Sequence, residues 1–340
     1  MLVSWNVTKR CNLYCEHCYR DSGPDAQVAG QLSTEEGRRL IDGVKAAGFR
    51  LLIFSGGEPL VREDVCELIA YAASIGLHPA MGSNGTLLTA EKARELKEAG
   101  LGGIAISIDS ADPAPHNRFR NAADGWERAV EGIRHAQRAG IKVQINMTLK
   151  EDNVGDFEQV AQLAEELGVS SLHPFFLVPT GRAINIEEDA LKAERYYTVL
   201  RNVLRKQRTT SLEIKPTCAP QFMPLAKEMN LEMRYTRGCL AGIAYCSVLP
   251  DGDVHICPYL PVKVGNVREL PFDEIWRDNP VFRDLRNFKK YEGACGSCPD
   301  VKSCGGCRAR SYYYSGGNFL AEEPWCHKRP PGAVRKAMEG

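Results

Sequence analysis

The sequence predicts an α/β protein, an open barrel of six β/α units followed by a small cysteine-rich domain. Three observations carry this. Short apolar, β-rich runs alternate with amphipathic helical stretches from Val3 to about Val178. The polar and glycine-rich segments gather directly after those runs. The cysteines, sparse in the middle of the chain, crowd its last third. Strand–helix alternation implies a parallel sheet with right-handed crossovers, and six units are too few for a closed barrel of eight.

The six expected strands are "LVSWNVT", "LLIFSG", "HPAMGSN", "GIAISID", "KVQINMT" and "SLHPFFLVP". Between the first two, "STEEGRRLIDGVKAAG" has Ser33 or Thr34 as a cap, acidic residues in its first turn and a glycine at its end. Further helices are expected at about 61–76, 89–100, 124–140 and 154–168, each closing near a glycine, and another at about 187–207. After an irregular connector containing "KPTCAPQF", the texture changes from Arg237 onward to short strands, tight turns such as "PDGD" and cysteines. The expected organisation is a barrel over 1–208, a connector over 209–238 and a cysteine-rich domain over 239–340. A loop-rich region of that kind is held by metal more than by a core.

Lys plus Arg and Asp plus Glu both number 43, so the formal net charge is zero and nothing global attracts nucleic acid or an anionic membrane. No apolar run reaches the roughly 18 residues of a membrane span, and the N-terminus lacks the pattern of a secretory signal. A cytoplasmic protein with neither a membrane nor a nucleic-acid partner is expected. Its thirteen cysteines then point to metal, because cytosolic thiols are kept reduced.

Cys11, Cys15 and Cys18 form C-x3-C-x2-C after the first strand. Thiolates suit zinc and iron–sulfur clusters. A closed zinc site needs four ligands, and none follows Cys18 at a suitable spacing; His17, adjacent to Cys18 in a short loop, is awkwardly placed to join it. A [4Fe–4S] cluster on three thiolates leaves one iron open to a small molecule, with a zinc loop as the alternative.

Followed by Tyr19, this motif resembles the signature of the radical S-adenosylmethionine (SAM) superfamily. The resemblance implies a partial (β/α)6 barrel, a [4Fe–4S] cluster whose open iron binds SAM, and reductive cleavage to a 5′-deoxyadenosyl radical that takes hydrogen from substrate. It also implies a low-potential electron donor. Gly56, Gly57 and Glu58 match the family's "GGE" motif at the SAM amino group. Ser83 and Asn84 in "SNGT" and Ser107 and Asp109 in "SIDS" stand where the family contacts the ribose and carboxylate, and Arg120 matches the arginine that pairs with the carboxylate. Asn146, Gly181 and Arg182 would complete the ribose and adenine side. Any one of these is an ordinary turn or surface residue; their agreement across six strand ends is the specific signal.

The last third resembles the SPASM extension of radical SAM enzymes, which carries auxiliary [4Fe–4S] clusters. Mapped onto it, Cys295, Cys298, Cys304 and Cys326 would hold one cluster, and Cys239, Cys246, Cys257 and Cys307 the other. "CGGC" departs from the usual spacing by one residue, and two zinc knots are the alternative. Cys66, in an amphipathic helix, reads as a core thiol.

For the substrate, the first barrel strand near the start and the last cysteine near the end weigh against the expectation of a leader-binding domain like that of peptide-modifying relatives. "FSGGEPL", "FFLVPTGRA", "KPTCAPQFM" and "CGGCRARSYYYSGGNFLAEEPWC" resemble radical SAM enzymes of siroheme-dependent tetrapyrrole synthesis. Within that group the resemblance implies removal of acetate side chains from 12,18-didecarboxysiroheme to give Fe-coproporphyrin III. The propionate-decarboxylating haem synthases, the enzymes of haem d1 synthesis and peptide-modifying SPASM enzymes are the alternatives. A flat, polyanionic macrocycle needs apolar walls and cationic clamps. The candidates are His173, Lys215, Arg182 and Arg237, with Cys218 nearby and "SYYY" at 311–314 for stacking.

Overall fold

The computed structural model describes residues 1–328. Ten strands form one sheet in the order β10-β9-β8-β1-β2-β3-β4-β5-β6-β7. The six expected strands are there: β1 (Leu2–Asn6), β2 (Leu51–Ser55), β3 (His78–Ser83), β4 (Gly103–Ser107), β5 (Lys142–Leu149) and β6 (Ser171–Phe176), each parallel to the next. Beside β6 lies the short β7 (Glu213–Ile214), from the connector. At the opposite edge, β8 (Tyr245–Val248) pairs parallel with β1, and β9 (Asp253–Cys257) and β10 (Leu260–Asn266) continue the sheet antiparallel. The three expected regions therefore share one sheet.

Side chains alternate across it, as the strand pleat requires. Val3, Trp5, Phe54, Met81 and Ile106 point outward and are buried under the helices. Along the barrel and the connector the helices are α1 (Thr34–Ala46), α2 (Val65–Ser74), α3 (Ala90–Glu98), α4 (Pro113–Arg120), α5 (Gly125–Arg138), α6 (Phe157–Glu166), α7 (Ala193–Lys206) and α8 (Phe222–Glu228). Ser33 caps α1 in a reciprocal box with Glu36, its hydroxyl accepting from the Glu36 amide while the Glu36 carboxylate accepts from the Ser33 amide. Gly37 lets α1 approach closely, since a Cβ there would fall 2.6 Å from the Trp5 ring.

Two helical expectations needed revision. The helix expected at 187–207 begins only at Ala193, after a 3-10 segment over Gly181–Asp189. The polar α4 had not been foreseen, and it carries Arg120. Among the described residues no helix is long and apolar enough to cross a membrane.

Candidate functional site

The inward faces of the strands do not fill the barrel. A cavity of about 750 Å3 runs from the strand starts, at Leu51, His78 and Lys142, to the rim where the cysteine loop lies. In a closed eight-stranded barrel, layers of Val, Ile and Leu would occupy that space. Here Ser4, Ala80, Gly82, Ala105 and Ser171 face it, and these side chains are too small to meet across it.

Cys11, Cys15 and Cys18 all line this cavity. Arg182 locks their loop: its guanidinium donates to the carbonyls of Cys15 (2.8 Å) and Ser22 (2.7 Å), pairs with Asp21 (2.7 Å) and lies over the Tyr14 ring. Gly181, at φ +59°, permits the contact, because a Cβ would fall 2.5 Å from the Cys18 carbonyl oxygen. Gly57 does the same on the other side, where a Cβ would lie 2.2 Å from the Arg10 carbonyl oxygen. The Leu13 amide donates to the Cys11 sulfur and the Ser22 amide to the Cys18 sulfur, both at 3.4 Å.

Burial pushes Cys11 up to about 12 and Cys15 up to about 11, with neighbouring thiols adding to both shifts. As bare thiols they keep their protons, so a metal must displace those protons to bind. His17 is stacked on Phe119 at 4.0 Å, and burial lowers it to about 3, leaving a neutral ring. Three thiols on one loop, two of them with a sulfur-directed amide, fit a cluster with one open iron.

Tyr19, Gly56, Gly57, Ser83, Asn84, Ser107, Arg120, Asn146 and Arg182 line the same cavity. Glu58 and Asp109 do not. The buried Glu58 carboxylate accepts from the Ser83 hydroxyl and the Asn84 amide, both at 2.8 Å, and so ties the loop after β2 to the end of β3. Burial raises it to about 7 against those bonds. Asp109 pairs with Arg120 at 2.6 Å and accepts from the Thr148 amide at 2.8 Å. Burial alone would push Asp109 up, but Arg120, with His17 and His116, outweighs it and holds the carboxyl at about 2. Asp109 therefore positions the arginine, and the arginine faces the cavity. Gly181 serves by close approach, outside the cavity lining.

Eight of the other cysteines fall into two groups. Cys295, Cys298, Cys304 and Cys326 surround a second, small cavity, with the otherwise unpartnered Gln221 amide nitrogen beside them. The Arg308 guanidinium and the Glu323 amide both donate to the Cys295 sulfur.

The second expected group is corrected at one position. Cys239, Cys257 and Cys307 line the large cavity, and so does Cys218; Cys246 does not. On β8, Tyr245 and Ser247 point inward to the Ser4 hydroxyl, so the pleat turns the fully buried Cys246 to the helix side, near Arg286. Cys218 sits at φ +57°, a conformation costing a non-glycine residue about 1 kcal/mol or more. Burial raises its thiol well above the ordinary value, with Cys307, Cys257 and Cys239 adding to the shift. The Arg310 guanidinium donates to the Cys218 carbonyl and pairs with the buried Glu323 at 2.9 Å, and Glu323 accepts from the Cys307 amide. One buried ion pair thus braces both cysteine groups.

His173 and Lys215 line the cavity. Arg237 does not; it donates to the carbonyls of Cys239 (2.7 Å) and Lys302 and stacks on Phe288, bracing the cysteine loops. The "SYYY" rings also lie outside the cavity, with Tyr314 bonded to Glu187. The aromatic wall is formed instead by Tyr19, Tyr245, Tyr259 and Phe175. Sequence reasoning missed Tyr245 and Tyr259, although strand alternation on β8, and the turn that follows β9, carried the signal. Cys66, on α2, packs against the core.

A thiol triad at the rim of a partial β/α barrel, with cysteines across a substrate-sized cavity and around a second one, defines a protein built to carry iron–sulfur clusters. The chain belongs to the radical SAM superfamily and is a radical SAM enzyme: residues 5–164 match that superfamily, and residues 239–299 match SPASM, an iron–sulfur cluster-binding domain. It is 41% identical to the AdoMet-dependent heme synthase of Nitratidesulfovibrio vulgaris, over 97% of this chain and 92% of that one. It is 33% identical to the Fe-coproporphyrin III synthase of Methanosarcina barkeri, over 96% and 87%. In fold it is similar to Streptococcus suis SuiB bound to S-adenosylmethionine, with a TM-score of 0.73 at 17% identity over 92% of this chain and 74% of that one.

Proposed function

We propose that the chain is a radical SAM haem synthase that oxidatively decarboxylates two propionates of Fe-coproporphyrin III. The observation that carries this reading is the near full-length identity of 41% to a heme synthase, against 33% to the Fe-coproporphyrin III synthase. The hollow barrel supports it, since a cavity of about 750 Å3 suits a large flat ligand beside a cofactor. The second reading is removal of acetate side chains from 12,18-didecarboxysiroheme, which the sequence analysis put first. The 33% relative, whose product that would be, favours it.

Cys11, Cys15 and Cys18 would hold a [4Fe–4S] cluster, which when reduced would supply the electron for SAM cleavage. The chain's own residues set the geometry. Arg120, held by Asp109, offers a fixed cation at the cavity wall for the SAM carboxylate. Gly56, Gly57, Ser83 and Asn84 line the wall next to the thiols, and Ser107 and Asn146 extend it across β4 and β5. Each propionate that becomes a vinyl gives up a hydrogen atom, carbon dioxide and one electron. Cys218, Cys239, Cys257 and Cys307 would hold the group able to take that electron. Cys295, Cys298, Cys304 and Cys326 would hold a further cluster. A low-potential electron donor and the reducing cytoplasm complete the reading.

The test is anaerobic incubation of the reconstituted, reduced protein with SAM and either macrocycle, followed by mass spectrometry. Haem and 5′-deoxyadenosine from Fe-coproporphyrin III are the expected products. Turnover of didecarboxysiroheme alone would move the assignment to the acetate-removing reaction. 5′-Deoxyadenosine with neither macrocycle changed would end the tetrapyrrole reading and return attention to peptides.

A further inference from the structure

Among the described residues that line the cavity, Lys215 is a cation that the SAM side does not use. On β6 the pleat sends Ser171, His173 and Phe175 inward, and Leu172 and Phe176 outward into the core. Lys215 follows β7, and its amide donates to the Leu172 carbonyl at 3.1 Å, which sets it beside His173 on the same inner face.

Among the described residues the Lys215 ammonium has no carboxylate within ion-pair distance. It lies 4.5 Å from the centre of the Tyr235 ring. The nearby carboxylate of Glu213 is taken by the Tyr235 hydroxyl and by Arg234 at 3.1 Å. Burial works against the charge on Lys215, and the Lys215 charge adds to the burial that keeps His173 neutral.

A buried ammonium without a carboxylate partner at a cavity wall is costly unless something anionic enters. The segment carrying it is rigid. Pro216 follows Lys215, the Thr217 amide donates to the Pro174 carbonyl at 2.8 Å, and the Phe176 amide donates to the Thr217 carbonyl at 3.0 Å. Cys218 lies three residues on, so one short loop carries both this cation and a thiol of the second cysteine group.

We propose that Lys215, with His173 as a neutral partner, is a carboxylate-binding site that seats one acidic side chain of the macrocycle and so sets which edge of the ring faces the cysteine loop. This rests on the tetrapyrrole reading. A charge-assisted hydrogen bond of this kind is worth roughly a tenfold to hundredfold in affinity.

The experiment is an anaerobic titration of the cluster-loaded protein with Fe-coproporphyrin III and with its tetramethyl ester, read by the shift of the Soret band. Lys215→Met keeps the aliphatic stem and removes the charge; Lys215→Arg keeps the charge. SAM affinity and iron content, measured in parallel, report on the fold. The free acid is expected to bind wild type tightly, Lys215→Arg within about threefold of that, and Lys215→Met about tenfold to hundredfold more weakly. The ester is expected to bind wild type and Lys215→Met alike. Undiminished binding of the free acid by Lys215→Met overturns the site. So does wild type that binds acid and ester equally, a comparison that needs no variant to fold. Wild type that binds neither macrocycle overturns the tetrapyrrole reading itself, and the site with it.

Discussion

At Cys246 the strand pleat aims the thiol at the helix side of the sheet, whereas at Cys218 a left-handed turn aims it at Cys239, Cys257 and Cys307. The two substitutions should therefore separate. Cys218→Ala is expected to lower iron by up to about four atoms per chain and to remove or shift one EPR signal of the reduced protein. Cys246→Ala should leave iron and EPR unchanged and cost about 1 kcal/mol of stability through the small cavity left in the core. Equal iron loss in the two variants, measured anaerobically on reconstituted protein, would return Cys246 to the ligand set. Cysteine spacing alone could not make this distinction. It shows which thiols are near one another in the chain, while the direction of each Cα–Cβ bond depends on strand register and on one backbone dihedral. The same limit applies to Glu58 and Asp109. Their positions at strand ends were legible, but their bonds to Ser83, Asn84 and Arg120 arise only when neighbouring strands align.

At the scale of elements, six strands were legible because their apolar runs are short, regularly spaced and bounded by glycines and caps. The eight-residue α4 was not, since it has little apolar surface from which to read a period. Pairing of β8 with β1 is also invisible locally, because partners 243 residues apart leave no sequence signal. One contact that joins these distant parts can be tested. Arg268, just after β10, donates to Glu36 of α1 at 2.6 and 2.9 Å, and to the Gly30 carbonyl at 2.9 Å. The hydrogen bonds from Arg268, then the amide of Ser33, hold Glu36 at about 2, below its ordinary 4.5. A depressed carboxylate contributes stability that is fully present above 4.5 and is lost as pH falls through about 2. Glu36→Gln should thus lower stability by about 0.5–1 kcal/mol, a small value because the pair is solvent-screened. Followed as the apparent melting temperature, the gap to wild type should be flat from about pH 8 to pH 5. A gap that closes within that range would contradict the assigned pairing.

For the whole molecule, the decisive property is a hollow barrel, and it follows from side-chain size at alternate strand positions. Ser4, Ala80, Gly82 and Ala105 leave the space that larger residues would fill, and the cysteine loop closes only one end of it. The sequence shows these small residues plainly, yet their common destination becomes evident only when the parallel register aligns Ala80 with Gly103 and Ala105 with Gln144. If this space seats a macrocycle, then filling it from β4 should exclude the large ligand before it disturbs the rim. Ala105→Phe places a ring in the cavity from a strand whose outward neighbours Ile104 and Ile106 stay in the core. The expected result is at least about a tenfold loss of affinity for Fe-coproporphyrin III, since overpacking a ligand site costs on the order of 1–3 kcal/mol. Iron content should remain that of wild type, because β4 carries no cysteine and the thiol triad sits on the loop after β1. Anaerobic Soret titration with parallel iron analysis reads both quantities. Undiminished macrocycle binding in a variant with full iron would mean that the ligand sits above the rim, and the barrel interior would then need another occupant.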